Sequence, residues 1–541
     1  MNPKLDRQSA PQPPDSAHAL YRRALAEQAA GRLDAAIALI DSALRIKPEF
    51  PEALCSGAYI LQNNGHAAGA LAFYDRALKF RPEYAIAWFN RGVLLLAHGN
   101  MEAALQSFER ACALQPDHSG AHCNRGAALF ALGRLQEAAD AYGQALSLKS
   151  DLSEAELNLG NALMRLGRYR DAREAYLRAI ALRADYALAF SGLGIVEKEL
   201  GRFPEARRAF DYALRIEPGS EEALSNRGCL QLQLGDFAEG WEGYEYRWTR
   251  GQRPIPVSPA RFDLDDPASL VGKRILVVND HGLGDTIQFF RYLVLLAQAG
   301  ACVTFAGPAK MRRLLSSSGI SISWRQEDDL AGEFDAVLAI SSLPRACETR
   351  VDTIPSASYL AAESERVTLW RERLDGPGPK IDPKIRPKIG IVWRGNVDFR
   401  VDPRRSIHPR ALLPLAGLAS ARLISLQKGY DLSDIPAALA ERLTDFGEAF
   451  DGGPDAFIDT AALMANLDLV VTCDTSIAHL AGALGRPVWV ALRHVSEWRW
   501  LTDRADSPWY PSMRLFRCRE GDDWTALFDE IAQEIRQTFG G

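Results

Sequence analysis

From residue 17 to about 250, apolar and small residues recur at helical spacing, and the whole pattern then repeats. Glycines stand at 31, 65, 99, 133, 167, 201 and 235, each 34 residues after the last. Small residues keep the same period at Ala58, Gly92, Gly126, Gly160, Gly194 and Gly228. Alanines keep it at 36, 70, 104, 138, 172 and 206, and again at 43, 77, 111, 145, 179 and 213. Large residues keep it at Ile40, Tyr74, Phe108, Tyr142, Tyr176, Phe210 and Tyr244. Spacings of three and four between these positions put them on one face of a helix. The pattern predicts seven units, each of two amphipathic helices joined by a glycine turn. Within a unit the small residues let the helices approach, and the large residue fills the gap to the neighbour. Pro48, Pro82, Pro116 and Pro218 mark unit ends, where a helix cannot continue.

The seventh unit departs from the rule. Gly240 and Arg247 replace the two alanines, and Trp241, Tyr244, Tyr246 and Trp248 crowd in. It is expected to act as a cap on the array and a docking surface for the C-terminal half of the chain. The array as a whole resembles the tetratricopeptide repeat, which implies a solenoid with a concave, peptide-binding face. Asn90, Asn124, Asn158 and Asn226 share one position of the first helix, where Ser56 and Gly192 interrupt the series. A ladder of amides can hydrogen-bond an extended peptide backbone whatever its sequence. Bonds between helices, or plain solvation, are the other readings of the same asparagines.

Beyond 251 the period is lost. Residues 251–272 are Pro-rich and read as a linker. Short β-branched runs then alternate with helical stretches, as a parallel sheet with crossover helices requires. RILVVND (274–280), CVTFAG, ISISW and FDAVLAI read as strands, and GDTIQFFRYLVLLAQAG (284–300) and PAKMRRLLSSS read as helices. A proline-rich break at 375–387 separates this half, 273–375, from a second, 388–541. There KIGIVW, RLISLQ, DLVVTCD and PVWVAL read as strands, and 455–467, 475–485 and 523–539 as helices. The prediction is two facing Rossmann-like domains with a cleft between them, their ligands at the carboxyl ends of the strands.

Composition narrows the class. The chain has 541 residues, 47% hydrophobic and 24% charged, so it can bury large cores. A net charge of −6 argues against nucleic acid as the default partner. The eight cysteines form no C-x-x-C pair, which is against a zinc site or a disulfide framework and suits a reducing compartment. Residues 1–16 are polar and Pro-rich, without the apolar stretch of a signal peptide, and read as disordered. No uncharged apolar run approaches the length of about 18 residues that a membrane helix needs. The expectation from these features is a cytoplasmic chain with no transmembrane segment.

Four stretches could carry chemistry. D-H-G-L-G-D (280–285) follows a strand and opens a helix. Asp285 there is either an N-cap or a general base at the sheet's carboxyl edge. V-T-C-D-T-S-I-A-H (471–479) crowds Asp474, Thr475 and Ser476 at a helix start, an anion site by virtue of free N–H groups and the helix dipole. His479 shares a helix face with Thr475, or is a core histidine. The basic run 393–409 carries Arg394, Arg400, Arg404, Arg405 and His408, with Lys428 after the next strand. Arginine forks suit phosphate oxygens, and a solvated loop balanced by Asp398 and Asp402 is the alternative. The aromatics Trp498, Trp500, Trp509 and Tyr510 either stack a base or seal a packed loop. Motifs of P-loop ATPases, zinc peptidases, α/β-hydrolases and EF-hands are absent.

On G-L-G-D and D-T-S-I-A-H-L-A-G-A-L-G-R-P-V-W, residues 272–541 resemble a GT-B glycosyltransferase of the heptosyltransferase-like family, family 9. The resemblance implies an inverting, metal-independent transfer from a nucleotide-diphosphate sugar, with no cofactor. It makes Asp285 the base and puts Asp474, Thr475, Ser476 and His479 along the donor diphosphate. Arg405, with Arg404 behind it, is the implied basic contact, and Arg394 and Lys428 join the donor set. Ser476 stands where the family usually has Gly, and those transferases carry no repeats. Repeats ahead of a GT-B half are similar in architecture to O-GlcNAc transferases. The expectation is therefore a transferase whose repeats recruit a protein or peptide acceptor. The alternative is a non-catalytic repeat scaffold with a degenerate transferase half.

Overall fold

The computed structural model describes residues 16–248, 260–376, 387–395, 405–447 and 449–540. Arg400, Arg404, Asp398, Asp402, residues 251–259 of the predicted linker and residues 1–15 of the N-terminal tail lie outside these residues. The chain divides into two compact units, residues 1–200 and 201–541.

The described residues of the first unit form helices joined by short turns. Helices Ala17–Ala29 and Leu33–Ile46 make the first pair, and four further pairs follow, the last of them Ser153–Arg165 with Tyr169–Leu182. Helix Ala187–Glu199 completes the unit. The 34-residue rule has a physical cause at two places. The turn glycines, Gly31 through Gly167, sit at φ of 76–78°, a left-handed conformation that ends each first helix and that side chains with a Cβ resist. The mid-helix glycines make room for a ring: a Cβ on Gly160 would stand 2.7 Å from Tyr176, and one on Gly192 2.6 Å from it. Tyr176 is thus fully buried between two successive first helices. The predicted complementarity of small and large residues holds.

The second unit opens with helices Phe203–Ile216, Glu221–Gln233 and Phe237–Tyr244, which complete fourteen helices of the repeat pattern. Two parallel sheets come next. The first contains β1 (Arg274–Val278), β2 (Cys302–Ala306), β3 (Ser323–Arg325) and β4 (Ala336–Ala339), in the order β3-β2-β1-β4. The second contains β5 (Lys388–Val392), β6 (Arg422–Ser425), β7 (Leu443–Thr444), β8 (Leu469–Cys473), β9 (Val488–Leu492) and β10 (Met513–Arg517). Its order, β10-β9-β8-β5-β6-β7, is doubly wound, and the direction reverses between β5 and β8. Strands β8 and β9 are buried along their whole length, as a sheet covered on both faces requires.

Three features differ from expectation. The two halves share one continuous apolar core rather than facing each other across an open cleft along their whole length, because helix Leu283–Gln298 packs directly on helix Ser476–Ala483. Helix Ser364–Asp375 precedes the predicted break yet packs on the second half. Trp370 donates to Asp459 at 2.9 Å and meets Phe446 and Phe450 edge-on. Strand β10, M-R-L-F-R, was hidden by its charged residues: Arg514 and Arg517 are only half-buried while Met513, Leu515 and Phe516 are buried.

The seventh unit does serve as a docking surface. Trp241 is 2% exposed, donates to the Thr349 carbonyl at 2.9 Å and meets Trp498 edge-on at 5.3 Å. Phe237 stacks on Trp509 at 6.3 Å. The aromatics of 498–510 are therefore a packed seal and not a base-stacking platform: all four are buried.

Candidate functional site

The site is built where the second sheet reverses direction. Strand β8 ends at Cys473. Thr475 then caps helix Ser476–Ala483, its Oγ1 accepting from the Ile477 N–H at 3.3 Å and lying 3.2 Å from Thr472 Oγ1. Asp474 lies just ahead of this helix start. It lines a cavity of about 90 Å³ together with Arg405, Leu492, Arg493, Ser496, Glu497 and Trp524. Gly395, on the loop after β5, borders the same place: a Cβ there would lie 3.7 Å from Thr475 Cγ2 and 3.9 Å from Arg405 Nη2. Arg405, Asp474, Thr475 and Ser476 are thus brought together, as the sequence predicts.

The electrostatics are mixed. Burial and the neighbouring Glu497 push the Asp474 carboxyl up to about 6, against the opposing influence of Trp500, Arg405 and Arg499. Asp474 therefore titrates well above a free carboxylate, and the cavity holds a second carboxylate, Glu497, beside it. His479 is buried, stacked on Trp500 at 5.4 Å, with Nδ1 3.1 Å from the Tyr510 hydroxyl. Burial, reinforced by Arg499, lowers it to about 3. It is neutral at working pH and adds no positive charge beside a diphosphate, and its burial fits the core-histidine alternative.

Two further predicted donor residues stand elsewhere. Arg394 reaches the Gly429 carbonyl, and its backbone N–H donates to Gln427 at 3.0 Å. It lines a separate cavity of about 370 Å³ with Trp393, Ser406, His408, Tyr430, Asp431 and Asp434. Lys428 donates to the Asp451 carbonyl at 2.7 Å and lines neither cavity. Loop geometry after β5 and β6 separates these cations from Arg405, which spacing along the chain could not reveal.

Asp285 belongs to the first turn of helix Leu283–Gln298. The close approach of this helix to the 476–483 helix depends on Gly284, where a Cβ would stand 3.3 Å from both Ser476 Cα and His479 Cδ2. Asp285 is paired with Arg499, which is buried and also holds Glu497 and, at 2.6 Å, Gln288 Oε1. Arg499 and Glu497 were missed in the sequence because the stretch 497–511 reads as an aromatic cluster. The charged E-x-R inside it was the available signal. Among the described residues no group of acidic, histidine or cysteine side chains is arranged to hold a metal ion. No described helix is long and apolar enough to cross a membrane.

In the first unit, Asn90, Asn124 and Asn158 are half-buried, as Asn226 is in the second. Asn124, Asn158 and Asn226 make no side-chain hydrogen bond to another described residue, while Asn90 is bonded to the Cys55 thiol. The interruptions have other tasks: Ser56 lies 3.0 Å from the Tyr21 hydroxyl, and Gly192 accommodates Tyr176. A recess of about 480 Å³ near the start of the unit is lined by His18, Tyr21, Lys47, Phe50, Phe80 and Arg81 among others, and none of the asparagines reaches it.

Comparison with known proteins bears on the helical part. Residues 5–51, 57–119, 157–221 and 192–249 match one tetratricopeptide-repeat family model, and 126–167 match a second. A curated relative, Protein FlbA of Caulobacter vibrioides, is 26% identical over 289 residues, 49% of this chain and 47% of its own. The chain thus spans about half the length of that relative. Among solved structures, YrrB, a TPR protein described as having an unusual peptide-binding site, is 23% identical. It covers 34% of this chain and 95% of its own, with a TM-score of 0.32. Pseudomonas aeruginosa pilF is 22% identical over 38% of this chain and 94% of its own, with a TM-score of 0.35. The N-terminal part of the chain, to about residue 250, is a tetratricopeptide-repeat solenoid, followed by a parallel-sheet α/β region.

Proposed function

We propose that the α/β region is a glycosyltransferase that moves a sugar from a nucleotide-diphosphate donor to an acceptor hydroxyl. The observation that carries this reading is the position of the Arg405–Asp474 cavity. It lies at the carboxyl ends of β8 and β9, at the helix start beside the strand-order reversal, where doubly wound sheets hold their ligands. One phosphoryl group fits the small cavity, bonded by the Arg405 fork. The 370 Å³ recess on the neighbouring strand ends, walled by Trp393 and Tyr430, has the size for a nucleoside. A donor bound there has its leaving diphosphate stabilised by fixed positive charge, which lowers the barrier. The acceptor hydroxyl gives its proton to a group on the 280–285 loop, for which the resemblance names Asp285. GT-B architecture and a protein acceptor presented by the repeats belong to the same proposal.

Calorimetry of the full chain against UDP-, GDP- and ADP-linked hexoses tests it. Binding to the wild type, weakened about 10- to 100-fold by Arg405→Ala, is expected from the loss of a charge-assisted bond. If none of these donors binds, the transferase reading fails. The second reading, a non-catalytic scaffold, is then preferred. It is favoured by the repeat matches and by the Asn124 and Asn158 amides, whose hydrogen-bonding groups are left for a peptide partner.

A further inference from the structure

The carboxylate named as base is already engaged. Asp285 Oδ1 is held by Arg499, which also binds Glu497 and Gln288. Four residues upstream on the same loop stands an imidazole with a carboxylate behind it. Asp280, at the carboxyl end of β1, has a fully buried side chain. The Ser341 backbone N–H donates to its Oδ1 at 3.2 Å, the Ser341 hydroxyl donates to Oδ2, and Arg247 Nη2 lies 3.1 Å from Oδ2. His281 Nδ1 is 2.9 Å from the same Oδ2, an ion-pair separation with the ring turned off the straight line. About a quarter of the His281 side chain, 26%, is exposed. Its ring lies 5.8 Å from Trp248 and 6.4 Å from Tyr244. Nε2 is 3.4 Å from the Tyr244 hydroxyl, a long hydrogen bond that an acceptor hydroxyl would have to displace.

Resting on the transferase reading, we propose that His281, oriented by Asp280, takes the acceptor proton, and that Asp285 is the positioning residue for Arg499. With its proton on Nδ1, facing Asp280, the ring presents Nε2 as the acceptor. The acceptor O–H bond breaks and its proton goes to Nε2. The oxygen bonds to the anomeric carbon as the carbon–oxygen bond to the diphosphate breaks, and that electron pair leaves with the nucleoside diphosphate. The resulting imidazolium is balanced by Asp280, whose carboxyl, despite burial, is held at about 2 by His281, Arg247 and Ser341. The charged and titratable groups around the ring are Asp280 and Asp285 on its own loop and Tyr244, Glu245 and Arg247 from the last repeat. Glu327 approaches through Asn279, and Arg499 lies beyond Tyr244. Placing the base against residues 244–248 puts the proton acceptor beside the end of the repeat array, the part expected to deliver the acceptor. The loop is held by the array's own Arg247.

The test uses the full chain with UDP-, GDP- and ADP-hexoses, read as release of free nucleoside diphosphate with water or glycerol as acceptor. His281→Gly is expected to lower kcat at least about 100-fold with donor Kd within about twofold, and added imidazole to restore at least about 10-fold. His281→Gln, which keeps a polar side chain but cannot take the proton, is expected to stay slow without imidazole rescue. Asp285→Asn is expected to weaken turnover with no rescue by imidazole. Full activity in His281→Gln overturns the assignment. So does a folded His281→Gly that imidazole does not restore while Asp285→Asn abolishes turnover at unchanged donor Kd, which returns the base to Asp285. Absence of donor binding to the wild type overturns the transferase reading itself and this assignment with it.

Discussion

Replacing Trp241 by alanine isolates the contribution of the seventh repeat to the α/β region. In the sixth unit the equivalent position is Arg207, which is exposed. In the seventh an indole takes the place, 2% exposed, with Phe237 at 5.2 Å, Trp498 at 5.3 Å and Tyr244 at 6.0 Å around it. Truncating a buried tryptophan costs about 3–5 kcal/mol through lost transfer free energy and the cavity left behind. The Thr349 carbonyl also loses its donor, worth about 1 kcal/mol. The same substitution at Arg207 removes an exposed side chain and is expected to stay within about 0.5 kcal/mol. Urea unfolding followed by tryptophan fluorescence, with limited proteolysis to assign each transition, measures both variants. The transition of residues 201–541 is expected to fall by several kcal/mol in Trp241→Ala, and that of residues 1–200 to stay in place. Equal, small effects at 241 and 207 would refute the argument that the last repeat is part of the α/β core.

Packing and buried charge set the remaining expectations. Gly160→Val drives methyl groups into the Tyr176 ring, already 2.7 Å from an added Cβ, and is expected to destabilise the first unit by about 3 kcal/mol. Gly143→Ala, where a Cβ meets nothing within 4 Å in a helix interior, is expected to stabilise it by about 0.5–1 kcal/mol; chemical denaturation of the two variants checks the pair. Asp474 governs a pH dependence. Burial and Glu497 raise its folded value from 3.8 to about 6, so its contribution to stability is present below about 4 and is lost as pH rises through about 6. Asp474→Asn is therefore expected to be more stable than the wild type at pH 7.5, by at most about 3 kcal/mol, and to lose that advantage by pH 4, in melts run across this range. His479, with a lowered value, has the opposite slope, but it is common to both proteins and drops out of their difference.

The helical half was legible in the sequence because its contacts are local and repeated. A ring at Tyr176 needs glycine at 160 and 192, and a left-handed turn needs glycine at 167, so each requirement is written at a fixed distance along the chain. The alternation of strands and helices was legible for the same reason, since a buried parallel strand is a short apolar run. Tertiary structure alone decided the site. Arg499 meets Asp285 from more than 200 residues away, and Arg247 meets Asp280 from another element, pairings that no local period encodes. It also decided which predicted cations share a cavity: Arg405 stands with Asp474, whereas Arg394 and Lys428 turn to carbonyls of neighbouring loops. Local spacing specifies which face of a helix or strand is buried. Which charges meet is set by how the sheets and helices pack, and packing depends on the whole chain at once.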